Sequence, residues 1–119
     1  MRTILTSIAL FFFLGSSAHA QRLELTVQDA SPVYDPQTRT TILEIDLDEV
    51  SQIAFADFTS QNVGARIAIY IDDEIILEPK INEPIYGGKI QLAYKSDGAQ
   101  EVASSLVAGK RIIWVSEIE

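Results

Sequence analysis

The sequence predicts an α+β fold in which an antiparallel or mixed β-sheet carries two helices packed on one face. Two observations point to it. Several short segments alternate apolar and polar residues with the period of a strand, and two longer segments repeat apolar residues at helical spacing. Along the chain these segments follow the order β-β-α-β-β-β-α-β, which suits a sheet with helices on one side.

The first two strands are predicted over residues 23–28 and 40–47, because apolar and polar side chains alternate in both segments. Residues 29–38 lie between them and contain Pro32 and Pro36. Since proline is a common turn residue, this segment is predicted to be a turn or loop.

Each predicted helix has a start signal, an apolar stripe and a glycine at its end. Asp48 is expected to cap the first helix and Gly64 to end it, and Ser96 and Gly109 have the same roles in the second. The predicted apolar stripe of the first helix is Val50, Ile53, Ala54 and Phe58, and Phe55 is also assigned to the core. The predicted buried side of the second helix is Ala99, Val102, Ala103 and Leu106.

A β-hairpin is predicted where residues 66–71 and 74–77 flank the pair Asp72-Asp73. The sequence leaves its register open. A two-residue turn would leave apolar side chains on both faces of the hairpin. A three-residue turn would gather five of them on one face, namely Ile67, Ile69, Ile71, Ile75 and Leu77.

The remaining segments complete the predicted order. Residues 79–88 hold two prolines and the pair Gly87-Gly88, so an ordered loop or irregular edge is predicted there. Further strands are predicted over residues 89–94 and 111–115, on either side of the second helix.

Residues 1–20 have the features of a signal peptide. Arg2 precedes an apolar stretch over residues 4–15, and Ala18-His19-Ala20 supplies the small residues that a signal peptidase requires. The apolar stretch is too short to span a bilayer comfortably. We therefore expect cleavage after Ala20, export to the periplasm, and a single domain over residues 21–119 without a membrane span.

Charge and missing residue types exclude several functions. The net charge of −8 disfavours binding to nucleic acid or anionic lipid. The sequence has no cysteine, and its one histidine and one methionine are His19 and Met1, within the predicted leader. Since the usual metal ligands and the histidine of common nucleophile pairs are missing from residues 21–119, no enzyme, metal site or cofactor is predicted. A hydrolase that uses two carboxylates needs no histidine, but 17 acidic residues make some pair of acids inevitable.

Four segments carry motifs in the order in which one protein family has them. They are Val27–Asp35 (V-x-D-A-x-P-V-Y-D), Phe58–Gly64 (T-x-x-N-V-G), Ala68–Ile81 (A-I-v-L-D-G-x-V, then P-x-I) and Glu83–Gln91 (P-I-x-G-G). Together they resemble the periplasmic head region of SecD, or of the fused SecDF, an accessory component of the bacterial protein-export channel. The resemblance implies the fold of that head and contact with unfolded or emerging polypeptide chains.

The chain also departs from that family. The pair Asp72-Asp73 stands where the family has Asp-Gly, so Asp73 is expected to accept positive φ. Residues 110–115 form a predicted extra strand in place of a proline-containing exit. The sequence contains none of the family's transmembrane helices, so proton-coupled transport is not implied.

These observations predict a periplasmic module that binds protein or peptide through a sheet edge or an apolar hairpin face, as an accessory to protein export. The candidate contact residues are Tyr70, Asp72, Asp73, Tyr86, Gly87 and Gly88. The alternative is an envelope structural or assembly protein that acts through homo-oligomerisation.

Overall fold

The computed structural model describes residues 22–118, and in them seven strands and two helices confirm the α+β class. The predicted leader, residues 1–20, lies outside the described residues. The strands are β1 (Arg22–Leu25), β2 (Val27–Asp35), β3 (Thr40–Leu47), β4 (Ile67–Ile71), β5 (Glu74–Leu77), β6 (Lys89–Tyr94) and β7 (Ile113–Glu117). The helices are α1 (Glu49–Ser60) and α2 (Ser96–Val107).

The strands are divided between two antiparallel sheets. The first sheet has the order β1-β7-β4-β5, and the second has the order β2-β3-β6. The inward faces of both sheets and both helices contribute to one hydrophobic core. Its fully buried members include Leu43, Ile45 and Leu47 of β3, Phe55 of α1, Ile67 of β4, Leu92 of β6, and Ile113 and Val115 of β7.

The prediction of a loop over residues 29–38 is wrong. β2 continues to Asp35 and pairs with β3, with Pro32 opposite Leu43. Proline is tolerated there because β2 is an edge strand. The outer side of an edge strand has no partner strand, so a proline can be placed where no ladder hydrogen bond is lost. The turn is confined to residues 36–39, and the N–H of Arg39 donates to the carbonyl of Asp35 at 2.8 Å.

The predicted cap of α1 and the core position of Phe55 are confirmed, but the predicted stripe is only partly buried: Phe58 packs against the core and Ala54 is half-buried, whereas Val50 and Ile53 are exposed. The Asp48 carboxylate accepts a hydrogen bond from the N–H of Ser51 at 2.9 Å. The buried residues of α1 are Ser51, Phe55 and Thr59. Val50 and Ile53, which were assigned to the core, are 76% and 68% exposed.

Hydrogen bonds from outside α1 explain why it buries two hydroxyl side chains. The hydroxyl of Ser51 accepts from the N–H of Thr26 at 2.8 Å. The hydroxyl of Thr59 accepts from the N–H of Ile85 at 2.9 Å and donates to the carbonyl of Phe55 at 2.9 Å. A buried hydroxyl with such partners avoids the penalty of an unsatisfied polar group.

The helix ends depart from prediction at two points. α1 ends at Ser60, and Gly64 takes its positive φ of 89° in the turn that follows. Ser96 does not cap α2: it is the first residue of the helix, the cap position belongs to Lys95, and the Ser96 hydroxyl lies 2.7 Å from that of Thr41. Gly98, with φ of 94°, interrupts the helical geometry of the first turn. The four predicted buried residues of α2 are confirmed, and Gly109 follows its end with φ of 77°.

The hairpin combines a two-residue turn with a β-bulge. Ile71 pairs with Glu74 and Tyr70 with Ile75, but the register then shifts between Ile69 and Tyr70. Ile69 consequently pairs with Leu77, and Ile76 is the extra residue on β5. The positive φ falls on Asp72, at 55°, and not on Asp73 as predicted.

Candidate functional site

Asp72, at the hairpin turn, is held by the segment that precedes β7. Its carboxylate accepts hydrogen bonds from the N–H of Ile112 at 3.1 Å and from the guanidinium of Arg111 at 3.2 Å. The N–H of Asp72 donates to the carbonyl of Ile112 at 2.8 Å. Asp72 therefore fastens the hairpin tip to its neighbour and does not present a free carboxylate.

Asp72→Ala is expected to lower the free energy of unfolding by about 1–2 kcal/mol, because two donors lose a charged acceptor that is partly exposed to water. Urea denaturation followed by circular dichroism measures the change. Asp73→Ala is the matched control, since the Asp73 side chain is 100% exposed and its removal should leave stability almost unchanged. An equal loss in both variants would contradict the fastening role of Asp72.

The other two hairpin candidates are linked through Arg22. Its guanidinium carbon lies 4.1 Å from the centre of the Tyr70 ring, a cation–π contact. The same guanidinium lies 3.4 Å from the carboxylate of Asp73. Tyr70 is half-buried and pairs with Trp114 across the first sheet, so its ring is partly covered.

The candidates Tyr86, Gly87 and Gly88 lie in the loop between β5 and β6, which packs against α1. At one end of this loop, the N–H of Ile85 donates to Thr59. At the other end, Gly88 is buried with φ of 67°, close to the side chain of Gln52. Between these anchors Gly87 is exposed, and so is Tyr86, at 73%.

Together, α1 and the loop expose three large apolar side chains: Val50, Ile53 and Tyr86. We call these three residues the α1–loop surface. Sequence reasoning found Tyr86 but missed Val50 and Ile53, because their spacing also fits a buried stripe. The six predicted contact residues therefore fall on two separate elements, the hairpin and the loop. Asp72 and Gly88 hold these elements in place, Tyr70 and Asp73 contact Arg22, and Tyr86 and Gly87 are exposed.

A groove of about 410 Å³ opens between the two sheets. Residues 74–76 of β5 line one side, and residues 93–95, at the end of β6, line the other. The first turns of α2 close it, with Asp97, Glu101 and Val102 among its lining residues.

The described residues show little that would support acid–base or metal chemistry. The hydrogen bond to Asp46 at 2.9 Å and the charge of that carboxylate raise the pKa of Lys89, which is the opposite of the shift that a general base requires. Residues 22–118 contain no group of three or more acidic, histidine or cysteine side chains placed to hold a metal ion.

The family model of the SecDF P1 head subdomain matches residues 23–111. The chain belongs to this family. The resemblance that the four motifs predicted is thereby confirmed. The SecDF P1 head match covers both helices and all strands except the last.

Curated relatives give the same result. The protein translocase subunit SecD of Dictyoglomus turgidum is 34% identical over 119 residues, which cover 82% of this chain and 30% of that protein. SecD of Acidaminococcus fermentans is 31% identical over 85 residues, covering 70% of this chain and 20% of that protein. The chain thus spans less than a third of the length of these relatives.

Solved structures agree with the SecDF P1 head fold. A structure of SecDF, described as a membrane component that enhances protein export, superposes with a TM-score of 0.65 and 28% identity, over 79% of this chain and 44% of that chain. SecDF in a super-membrane-facing form gives a TM-score of 0.63 over 69% of this chain and 11% of that one. In the part of the chain described here, neither helix has the length and hydropathy needed to cross a membrane.

Proposed function

We propose that this chain is a periplasmic module that binds unfolded or emerging polypeptide during protein export, with the α1–loop surface as its contact region. Membership of the SecDF P1 head family supports a role in export. The single observation that carries the binding role is the exposure of Val50, Ile53 and Tyr86, at 76%, 68% and 73%. We infer that they act as one contact region, because exposed apolar patches are typical of surfaces that bind protein.

The pattern of α1 supports this proposal. An amphipathic helix normally buries its branched apolar residues and exposes its hydroxyls. In α1 the hydroxyls of Ser51 and Thr59 are buried and Val50 and Ile53 face solvent. Since burying a valine or isoleucine side chain contributes roughly 1.5–3 kcal/mol, a partner that covers both would gain substantial binding energy.

The other predicted contact residues have different parts in the proposal. Gly87 lies beside Tyr86 and leaves the ring accessible, and Gly88 shapes the loop. Tyr70 and Asp73 offer a secondary contact at the hairpin, which Asp72 holds in place. We propose no catalytic step, because residues 21–119 contain neither histidine nor cysteine.

Export through residues 1–20, cleavage after Ala20 and a single domain over 21–119 belong to the same proposal. The basic residue, apolar stretch and small residues of that segment support it. Mass spectrometry of the protein recovered from periplasmic extracts gives the first residue directly. Recovery of uncleaved chain in the membrane fraction would contradict this part of the proposal.

Binding to a permanently unfolded protein, such as reduced and carboxymethylated α-lactalbumin, tests the contact region. Val50→Lys is expected to weaken binding by about fivefold to tenfold in fluorescence anisotropy, because it puts a charge into the apolar surface. Val107→Lys is the matched control: the substitution and charge change are the same, but Val107 lies at the end of α2 and is 45% exposed. No binding by the wild-type chain, or equal losses in both variants, would overturn the proposal.

The same exposed residues also favour the alternative of an envelope assembly protein that forms homo-oligomers. Analytical ultracentrifugation separates the two functions. A monomer at high protein concentration removes the alternative, whereas a dimer that Val50→Lys dissociates would support it.

A further inference from the structure

We propose that the free edge of β5, together with the groove beside it, accepts an extended basic polypeptide segment as an additional β-strand. This inference rests on the function proposed above and names a binding mode for the same class of partner. The site is distinct from the α1–loop surface, because it is built from β5, the end of β6 and the start of α2.

The first observation is that the groove lies between two sheet edges. β5 is the last strand of the first sheet and β6 is the last strand of the second. Within residues 22–118, each of these strands pairs on one side only. A strand with an unpaired edge presents a row of N–H and C=O groups that another chain can pair with.

The second observation concerns the backbone of Ile75. In an antiparallel hairpin with a two-residue turn, the pair next to the turn is hydrogen-bonded, and the following residue directs its backbone groups to the other side. Ile71 and Glu74 are the pair next to the turn. The N–H and C=O of Ile75 therefore point to the free edge, where the incoming strand would bind.

The third observation is the size and lining of the groove. Its volume of about 410 Å³ is within the range of roughly 300–1,000 Å³ that is typical of ligand sites. Ile76, Tyr94 and Val102 supply apolar surface, whereas Glu74 and Asp97 supply acidic groups. An extended segment with alternating apolar and polar side chains matches such a lining.

Charge identifies the occupant as basic. Arg111, the guanidinium that lines the groove, is already paired with Asp72 at 3.2 Å and with Glu101 at 3.6 Å. Of the other charged lining residues, Glu74 and Asp97 are acidic and Lys95 is basic, and the whole chain carries a net charge of −8. A second copy of this acidic chain is disfavoured for the same reason, and a segment rich in lysine or arginine is favoured.

The site can be tested by measuring the binding of a short fluorescein-labelled peptide that alternates valine and lysine. The protein for this experiment is expressed from its full sequence and then purified. We expect the peptide to bind, and we expect weaker binding for the same peptide with glutamate in place of lysine or with an N-methylated backbone. Ile75→Pro removes the outward N–H on an edge strand, where proline is tolerated, and should weaken binding by about threefold to tenfold. Circular dichroism verifies that the variant is folded.

Ile75→Lys provides a second variant that keeps the N–H but repels the basic peptide. Its matched control is Ile118→Lys, because the two side chains are 47% and 42% exposed and Ile118 lies at the opposite end of the first sheet from the hairpin turn. We expect weaker binding for Ile75→Lys and no change for Ile118→Lys. Equal binding by the methylated and unmethylated peptides would overturn strand addition.

The experiment also separates the two proposals. If Ile53→Lys abolishes binding of unfolded protein while Ile75→Pro leaves peptide binding unchanged, the groove is not the site and the proposed function stands. If the wild-type chain binds no unfolded polypeptide, the proposed function fails. If Ile75→Pro converts a dimer into a monomer in sedimentation, the occupant is a second copy and the proposal of a basic segment is overturned.

Discussion

Phe55→Ala is expected to lower the free energy of unfolding by about 3–5 kcal/mol. The Phe55 side chain is 1% exposed and belongs to the core that both sheets share. Truncation removes its apolar contacts and leaves a cavity that the surrounding strands fill only in part. Because a domain of this size is stabilised by about 5–15 kcal/mol in total, the loss should be visible as a much lower urea midpoint.

Ile53→Ala is the control for this prediction, since both residues lie on α1. Ile53 is 68% exposed, so its truncation should change stability by less than about 0.5 kcal/mol. The pair of variants thus measures which face of the helix is buried. If Ile53→Ala lowered the free energy of unfolding more than Phe55→Ala, the face of α1 that carries Ile53 would be the buried one.

The two faces of α1 show what the sequence could not predict. Val50, Ala54 and Phe58 recur every four residues, with Ile53 one turn from Val50, and nothing within the helix shows which part of this stripe is buried. The choice depends on partners far away in the sequence. Ser51 is satisfied by Thr26 and Thr59 by Ile85, and neither hydrogen bond leaves a local signal.

Local signals did predict much of the fold. The cap at Asp48, the buried side of α2 and the hairpin at residues 72–73 follow from residue types with short-range effects. Local signals did not predict the full length of β2. Pro32 favours a turn, but it lies in an edge strand, where proline is tolerated. The division into two sheets depends on long-range pairing such as that of β1 with β7, which has no short-range signature.

The sequence motifs do not predict which contacts the candidate residues make. Asp72 was proposed as a contact because it sits at a hairpin tip, and the structure shows that its carboxylate holds Arg111 and the N–H of Ile112. Of the two predicted aromatic contacts, Tyr86 is 73% exposed, whereas Tyr70 is half-buried. The role of a turn residue depends on the residues that contact it in the folded chain, and the turn motif does not specify those contacts.

Gly88→Ala is expected to lower the free energy of unfolding by about 2–4 kcal/mol, from two separate causes. The first is backbone strain, because Gly88 has φ of 67°, where an L-residue costs about 1–2 kcal/mol. The second is steric: a Cβ at this position would overlap the Cγ of Gln52 and approach its Cδ to 2.8 Å. The side chain of Gln52 is itself held by a hydrogen bond to the carbonyl of Leu47 at 3.1 Å.

Two further variants separate these causes. Gly87→Ala is the matched control, since Gly87 has φ of 86° but nothing lies within 4 Å of its added Cβ, so only the backbone strain of about 1–2 kcal/mol should appear. In the double variant, Gln52→Ala removes the Cγ and Cδ that the new Cβ would meet and leaves only the Cβ of residue 52, at 3.1 Å. Gly88→Ala should then lower stability by about as much as Gly87→Ala does. If Gly88→Ala and Gly87→Ala are equally destabilising in the wild-type background, the loop does not pack against α1 at Gln52.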